Sequence, residues 1–168
     1  GLIRLGVDIY GGPILATFTD RDLSLAGRVC FKNEHDKVES KLVKFDKPLL
    51  RLPNLAIHMN RNVNEDGLKL HKNNELPLIL TASSEQQLPA DYFSGLLQQQ
   101  SGLDSARILS WELAVYDTQK GAIWGAQEEF YSDSQLDNLA SCHAALQAML
   151  DEAVLNSGNT VVCALFDH

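Results

Sequence analysis

Ser134-Gln135-Leu136-Asp137-Asn138-Leu139 and the closing run Val161-Val162-Cys163-Ala164-Leu165-Phe166-Asp167-His168 decide how this chain is read. Leu136, Leu139, His143, Leu146, Leu150 and Val154 recur at helical spacing, and Asn156-Ser157-Gly158-Asn159 stops the helix before the final apolar run, which reads as a buried strand. Helix followed by buried strand is the αβ half of an α/β unit. Asp137 falls in the first turn of that helix, where two readings stay open. With Ser134 as cap, the free N–H groups and the helix dipole favour a carboxylate there. Alternatively Asp137, about 100° round from Leu136, points off the core stripe toward a site at the sheet edge that can hold a metal ion, tied down by hydrogen bonds from its surroundings.

Upstream the pattern changes. Short apolar runs bounded by turn residues at 2–10, 25–31, 39–45, 77–81, 108–116 and 122–125 read as strands. Between them, residues 54–59 after Pro53 and residues 91–100 suit short helices, and residues 60–74 are a polar loop too rich in Asn and charge to bury. The class is therefore α+β: a β-rich domain over residues 1–126, a composition break at 125–131, and a partial α/β domain over 127–168.

Composition excludes several functions. The 168 residues, 45% hydrophobic, suffice for one sizeable domain or one domain and part of another. No apolar run approaches the roughly 20 residues that span a bilayer, so no membrane partner is expected. A balance of 14 basic against 22 acidic residues, net −8, opposes a phosphate backbone, so no nucleic-acid partner is expected either. Cys30, Cys142 and Cys163 are odd in number, far apart and set among apolar neighbours, and read as reduced core residues of a cytoplasmic protein. A start inside an apolar strand-like run points to an excised fragment.

The strings GVDIYGG (6–12), TDRDLSLAGRV (19–29), LPNLAIHMNRNVNE (52–65), NELPLIL (74–80), SWELAVYDTQ (110–119), QLDNLASCHAALQAML (135–150) and VVCALFDH (161–168), in this order and at these separations, resemble the aspartyl aminopeptidase (aminopeptidase I) family of dinuclear zinc exopeptidases. The resemblance covers nearly the whole chain. It implies that residues 1–126 match an inserted β-rich domain that dimerises and covers the neighbouring active site, and that residues 127–168 begin a second segment of the catalytic domain. Asp137 matches the carboxylate of the family's LDNL motif, which bridges two Zn2+ ions around a shared water that attacks the peptide carbonyl. His58 matches the histidine of LAIH, which reaches across the dimer to contact substrate and the charge developing on the carbonyl oxygen. The resemblance further implies a peptide substrate, removal of N-terminal acidic residues, and a homodimer that assembles into a larger homo-oligomer.

By the same comparison the remaining ligands and the general base lie outside this chain, which holds one carboxylate where a zinc site needs three or four protein ligands. These residues alone are expected to be inactive and to expose an apolar edge at Leu139, Leu146 and Leu165. Read locally, His58 is a polar residue on a short helix, Asp20, Arg21 and Asp22 are a salt-bridged turn or a subunit or substrate contact, and His143 is a hydrogen-bonded core histidine. Asp167 and His168 read as lead-in residues rather than ligands. Two readings of the whole remain: part of a zinc aminopeptidase, or a stand-alone, non-catalytic dimerisation or binding module of the same fold. The first is favoured because a helix and strand without the rest of their sheet make a poor independent domain.

Overall fold

Leu23, Leu25 and Val29 alternate along one face of a single strand, and the fold of the first part of the chain follows from burying that face. The computed structural model describes residues 1–84 and 90–166, which divide into two units, Gly1–Gln119 and Lys120–His168. In the first unit β2 (Leu23–Lys32) is the centre of a three-stranded antiparallel sheet, flanked by β3 (Val38–Lys44) and β5 (Ile108–Asp117). A second, two-stranded antiparallel ribbon pairs β1 (Leu2–Leu5) with β4 (Leu78–Ala82). The strand expected over residues 2–10 is therefore shorter, since pairing with β4 ends at Leu5.

The buried core comprises Leu23, Leu25, Val29, Val43, Phe45, Leu50, Leu52, Leu76, Leu78 and Leu97. Each such side chain contributes about 1.5–3 kcal/mol when fully buried. Leu97 comes from α3 (Tyr92–Ser101), close to the helix expected over residues 91–100. Gly102 ends α3 in the left-handed conformation, its N–H bonded to the Gln98 carbonyl. The Lys41 ammonium donates to the Ser101 carbonyl at 2.6 Å and the Gln100 amide to the Lys44 carbonyl at 2.7 Å, so the end of α3 is stitched to β3.

Between the two sheets runs the segment Leu50 to Leu52. Leu50 exchanges backbone hydrogen bonds with Leu23 on one side, and Arg51 exchanges them with Ile79 on the other. Ser24, fully buried on the opposite face of β2, has its hydroxyl 2.7 Å from the Phe45 carbonyl and 2.8 Å from that of Lys47. No buried side-chain polar atom among the described residues is left without a partner.

Residues 54–59 do not form the expected helix. They make two overlapping turns, Met59 N–H to the Ala56 carbonyl at 2.8 Å and Asn60 N–H to the Ile57 carbonyl at 3.2 Å. A helix fails to propagate because one turn fixes several residues for a single hydrogen bond. The polar stretch that follows contains two one-turn helices, α1 (Val63–Asp66) and α2 (Lys72–Glu75), rather than loop alone.

In the second unit β6 (Ala122–Trp124) pairs with β7 (Phe130–Ser132), a strand the alternation did not reveal because Gly125 and the run Gln127-Glu128-Glu129 interrupt it. Helix α4 (Leu136–Met149) follows, then a break at Leu150-Asp151 and the one-turn α5 (Glu152–Leu155), where a single longer helix was expected. Asp151 makes the break, its carboxylate accepting the Ala153 N–H at 2.8 Å as a new cap.

The run 161–166 is not the expected buried strand: it has no strand pairing, and Val162 and Phe166 are 80% and 93% exposed. A strand needs a neighbour's N–H and C=O groups, and no strand among the described residues pairs with it. Cys163 is exposed rather than in a core, and His143 is exposed and unpartnered among the described residues rather than hydrogen-bonded inside. Leu139, Leu146 and Leu165 are exposed, as expected for this segment.

One backbone approach sets the tolerance of the main sheet. A Cβ placed on Gly27 would lie 2.1 Å from the Glu112 carbonyl oxygen and 2.8 Å from the Leu113 Cα, both main-chain atoms that no rotamer change can move. Gly27→Ala is expected to destabilise the first unit by about 1–3 kcal/mol, read as a lower urea midpoint at unchanged slope.

Candidate active site

His58 sits at the tip of an arm that leaves the core at Leu52 and turns sharply at residues 56–60. Its imidazole is exposed and makes no hydrogen bond or ion pair among the described residues. Leu55, Ile57 and Met59 around it are also exposed, so a free imidazole stands within an apolar tip. A groove of about 540 Å³ runs beside the arm, with Asn54, Leu55 and Asn60 on its wall together with Arg4 and Lys69.

The base of the arm is held by the charged turn. The Asp20 N–H donates to the Leu52 carbonyl at 2.8 Å, and the Asp20 carboxylate accepts the Asn54 N–H at 3.1 Å. Arg21 donates to Asp117 at 2.8 Å and to the Gln119 amide oxygen at 2.5 Å, and Arg51 donates to Asp22 at 2.7 Å. The salt-bridged turn read from the sequence is thus what these residues form. Exposed pairs of this kind each contribute about 0–1 kcal/mol, so their role is registry more than stability.

Asp137 departs from a helical first turn. Gln135 before it is left-handed (φ 61°, ψ 27°), Asp137 itself is extended (φ −86°, ψ 110°), Asn138 is also non-helical, and the Asp137-Asn138 peptide is cis. The ladder of α4 begins beyond them, with Leu139 N–H bonded to the Gln135 carbonyl at 3.1 Å. Ser134 does not cap the helix; its N–H goes to the Asp133 carboxylate at 2.8 Å. Capping therefore does not explain Asp137, whose carboxylate is exposed and unpartnered among the described residues. Beside it the Cys142 thiol donates to the Asn138 side-chain oxygen at 3.7 Å.

Residues 1–168 match the model of the aminopeptidase I zinc metalloprotease (M18) family. The chain belongs to that family. One curated relative, "Probable M18 family aminopeptidase 2" of Ectopseudomonas mendocina (strain ymp), is 45% identical over 174 residues, taking in 100% of this chain and 38% of its own length. Among solved structures, the cryo-EM structure of the Ape4 and Nbr1 complex aligns with a TM-score of 0.78 at 33% identity, over 89% of this chain and 31% of that one. The structure of Chaetomium thermophilum mApe1 aligns with a TM-score of 0.77 at 31% identity, over 89% and 36% respectively. The M18 chain described here therefore spans well under half the length of the curated relative it matches.

M18 membership implies zinc, and the donor set here does not fit a complete site. No group of three or more His, Cys, Asp or Glu side chains converges among the described residues, and Asp137 offers one carboxylate. Zinc takes three or four protein ligands, more than the one carboxylate found here among the described residues. Asp167 and His168 lie outside the described residues. His58 belongs to the first unit and Asp137 to the second.

A tie the sequence did not reveal precedes Asp137. The Tyr131 hydroxyl donates to Asp133 Oδ2 at 2.8 Å while Asp133 Oδ1 takes the Ser134 N–H, so one carboxylate joins β7 to the approach to α4. Only the spacing Tyr131-x-Asp133 pointed to it, a signal too common to stand out. The hydrogen bond to Asp133, with some desolvation and the nearby negative charge, raises the Tyr131 pKa above the ordinary tyrosine value. With the folded pKa raised, the tie is fully present below the unfolded pKa and is lost as pH climbs through the folded one. In spectrophotometric titration, the component removed by Tyr131→Phe is expected to ionise later than free tyrosine, and Asp133→Asn to bring it back toward the ordinary value.

Proposed function

We propose that this chain is part of a two-zinc aminopeptidase that removes N-terminal acidic residues from peptides, with Asp137 as the bridging carboxylate and His58 as a substrate contact. The observation that carries the reading is the conformation at Asp137. A side chain that has left the helix, gives up the capping role and keeps its carboxylate free is available as a ligand. In the complete enzyme Asp137 would be one of the residues that hold the zinc, which would supply an acidified water as nucleophile and polarise the carbonyl. The other ligands and the general base come from parts of the enzyme beyond these residues, so a polypeptide of these residues alone is inactive.

The His58 arm supports a role across a subunit boundary. A free imidazole among exposed Leu55, Ile57 and Met59 suits a tip that seats against a second copy, with the apolar residues burying surface and the imidazole donating to a substrate oxygen. In this reading residues 1–126 are the dimerisation and lid domain, residues 127–168 are a piece of the catalytic domain, and homodimers build a larger homo-oligomer. Free Cys30, Cys142 and Cys163 are compatible with a reducing compartment, and we place the enzyme in the cytoplasm. No helix among the described residues is long and apolar enough to cross a membrane.

Two substitutions in the full-length enzyme test the assignment, with turnover followed on an N-terminal aspartyl or glutamyl chromogenic substrate. Asp137→Ala is expected to abolish turnover and to lower zinc content by elemental analysis; full zinc with full activity would remove Asp137 from the site. His58→Phe is expected to lower kcat by about 10²–10³-fold, the usual cost of one donor to a developing oxyanion, with zinc content unchanged. Wild-type turnover in that variant would exclude the substrate contact.

A further inference from the structure

Asp20 grips the His58 arm on both sides of Pro53. Its N–H holds the Leu52 carbonyl at 2.8 Å, its carboxylate holds the Asn54 N–H at 3.1 Å, and Thr19 pairs with Leu52 in a parallel bridge. The residue between these two ties has no N–H of its own and a fixed φ, and it restricts Leu52 to extended conformations. The direction in which the arm leaves the core is therefore set at Asp20. Asp20 is also left-handed, at φ 57°. Only glycine adopts that conformation freely, and Asp and Asn are among the few side chains that tolerate it. A glycine would keep the backbone and lose the carboxylate; Asn keeps both the conformation and an acceptor oxygen.

Past Asn54 the path to His58 is short and locally determined. The Asn54 side-chain oxygen accepts the Leu55 N–H at 2.9 Å, and the turn from Ala56 to Met59 presents His58. No other side chain outside the arm is hydrogen-bonded to residues 52–58 among the described residues. The neighbouring ion pair Arg51–Asp22 lies on the same turn and stops short of Pro53.

We propose that Asp20 is a positioning residue for His58, fixing the angle of the arm so that the imidazole reaches the substrate. The proposal rests on the substrate contact assigned to His58 above. A displaced arm costs rate through misplacement of the donor, an effect of about 10- to 100-fold for a shift near 1 Å. Substrate binding by the rest of the site is little affected.

The test is a double-mutant cycle in the full-length enzyme with Asp20→Ala, His58→Phe and the pair together, with Asp20→Asn as rescue and Asp22→Ala as a control that removes the ion pair alone. Asp20→Ala is expected to lower kcat about 10- to 100-fold at nearly unchanged KM and zinc content, Asp20→Asn to recover most of it, and Asp22→Ala to stay near wild type. The double variant is expected to be no slower than His58→Phe. Wild-type turnover in Asp20→Ala beside a slow His58→Phe overturns the positioning role and leaves the His58 contact standing, as do effects that multiply in the double variant. Wild-type turnover in His58→Phe overturns the contact and the proposal with it. Should Asp20→Ala fail to fold, Asp20→Gly, which keeps the left-handed backbone without the acceptor, takes its place with the same expected outcomes.

Discussion

The first unit depends on a three-residue crossing, Leu50 to Leu52, that is hydrogen-bonded on both of its edges. One edge continues the β2 ladder through Leu23, the other joins the β1–β4 ribbon through Ile79, and the side chains of Leu50 and Leu52 face the core while Arg51 reaches out to Asp22. Of the two sheets, the β1–β4 ribbon alone is too small to bury a face, since a two-stranded ribbon is marginal in water. Joined through this crossing, they share one set of leucines. The arm that carries His58 begins where the crossing ends, so a backbone paired on both edges is also the root of an exposed tip.

The division of labour between the two units follows from where apolar surface is buried. Among the described residues, all of the buried apolar side chains belong to Gly1–Gln119, while Lys120–His168 leaves Leu139, Leu146, Leu150 and Leu155 more than half exposed. The curated M18 relative extends well beyond the stretch matched here.

Elements with a strong period were legible in the sequence. The apolar runs at 25–31 and 108–116 found β2 and β5, and the helix read over residues 91–100 came within a residue of α3 at each end. What the sequence hid was hidden for physical reasons. Ser134 does not cap α4 because the left-handed Gln135 stands at the cap position and the backbone at Asp137 and Asn138 is not helical, so no helix N–H is presented to its hydroxyl. The run at 161–166 has the composition of a strand, yet composition does not supply a neighbour to pair with. Residues 54–59 make turns in place of the expected helix, and Asp20, far away in the chain, is bonded to both Leu52 and Asn54 at their root, a tie that no local pattern shows.

Helix α4 has 14 residues, near the lower limit at which a helix persists in water without a packed face. With Leu139, Leu146 and Leu150 uncovered, its order at any moment is governed by whatever apolar surface lies against them. Asp137 stands at the frayed end of that helix, where unwinding begins. Order in the backbone around Asp137 is therefore thermodynamically linked to the docking of a hydrophobic stripe, and whatever covers Leu139, Leu146 and Leu150 also orders the turn that precedes them.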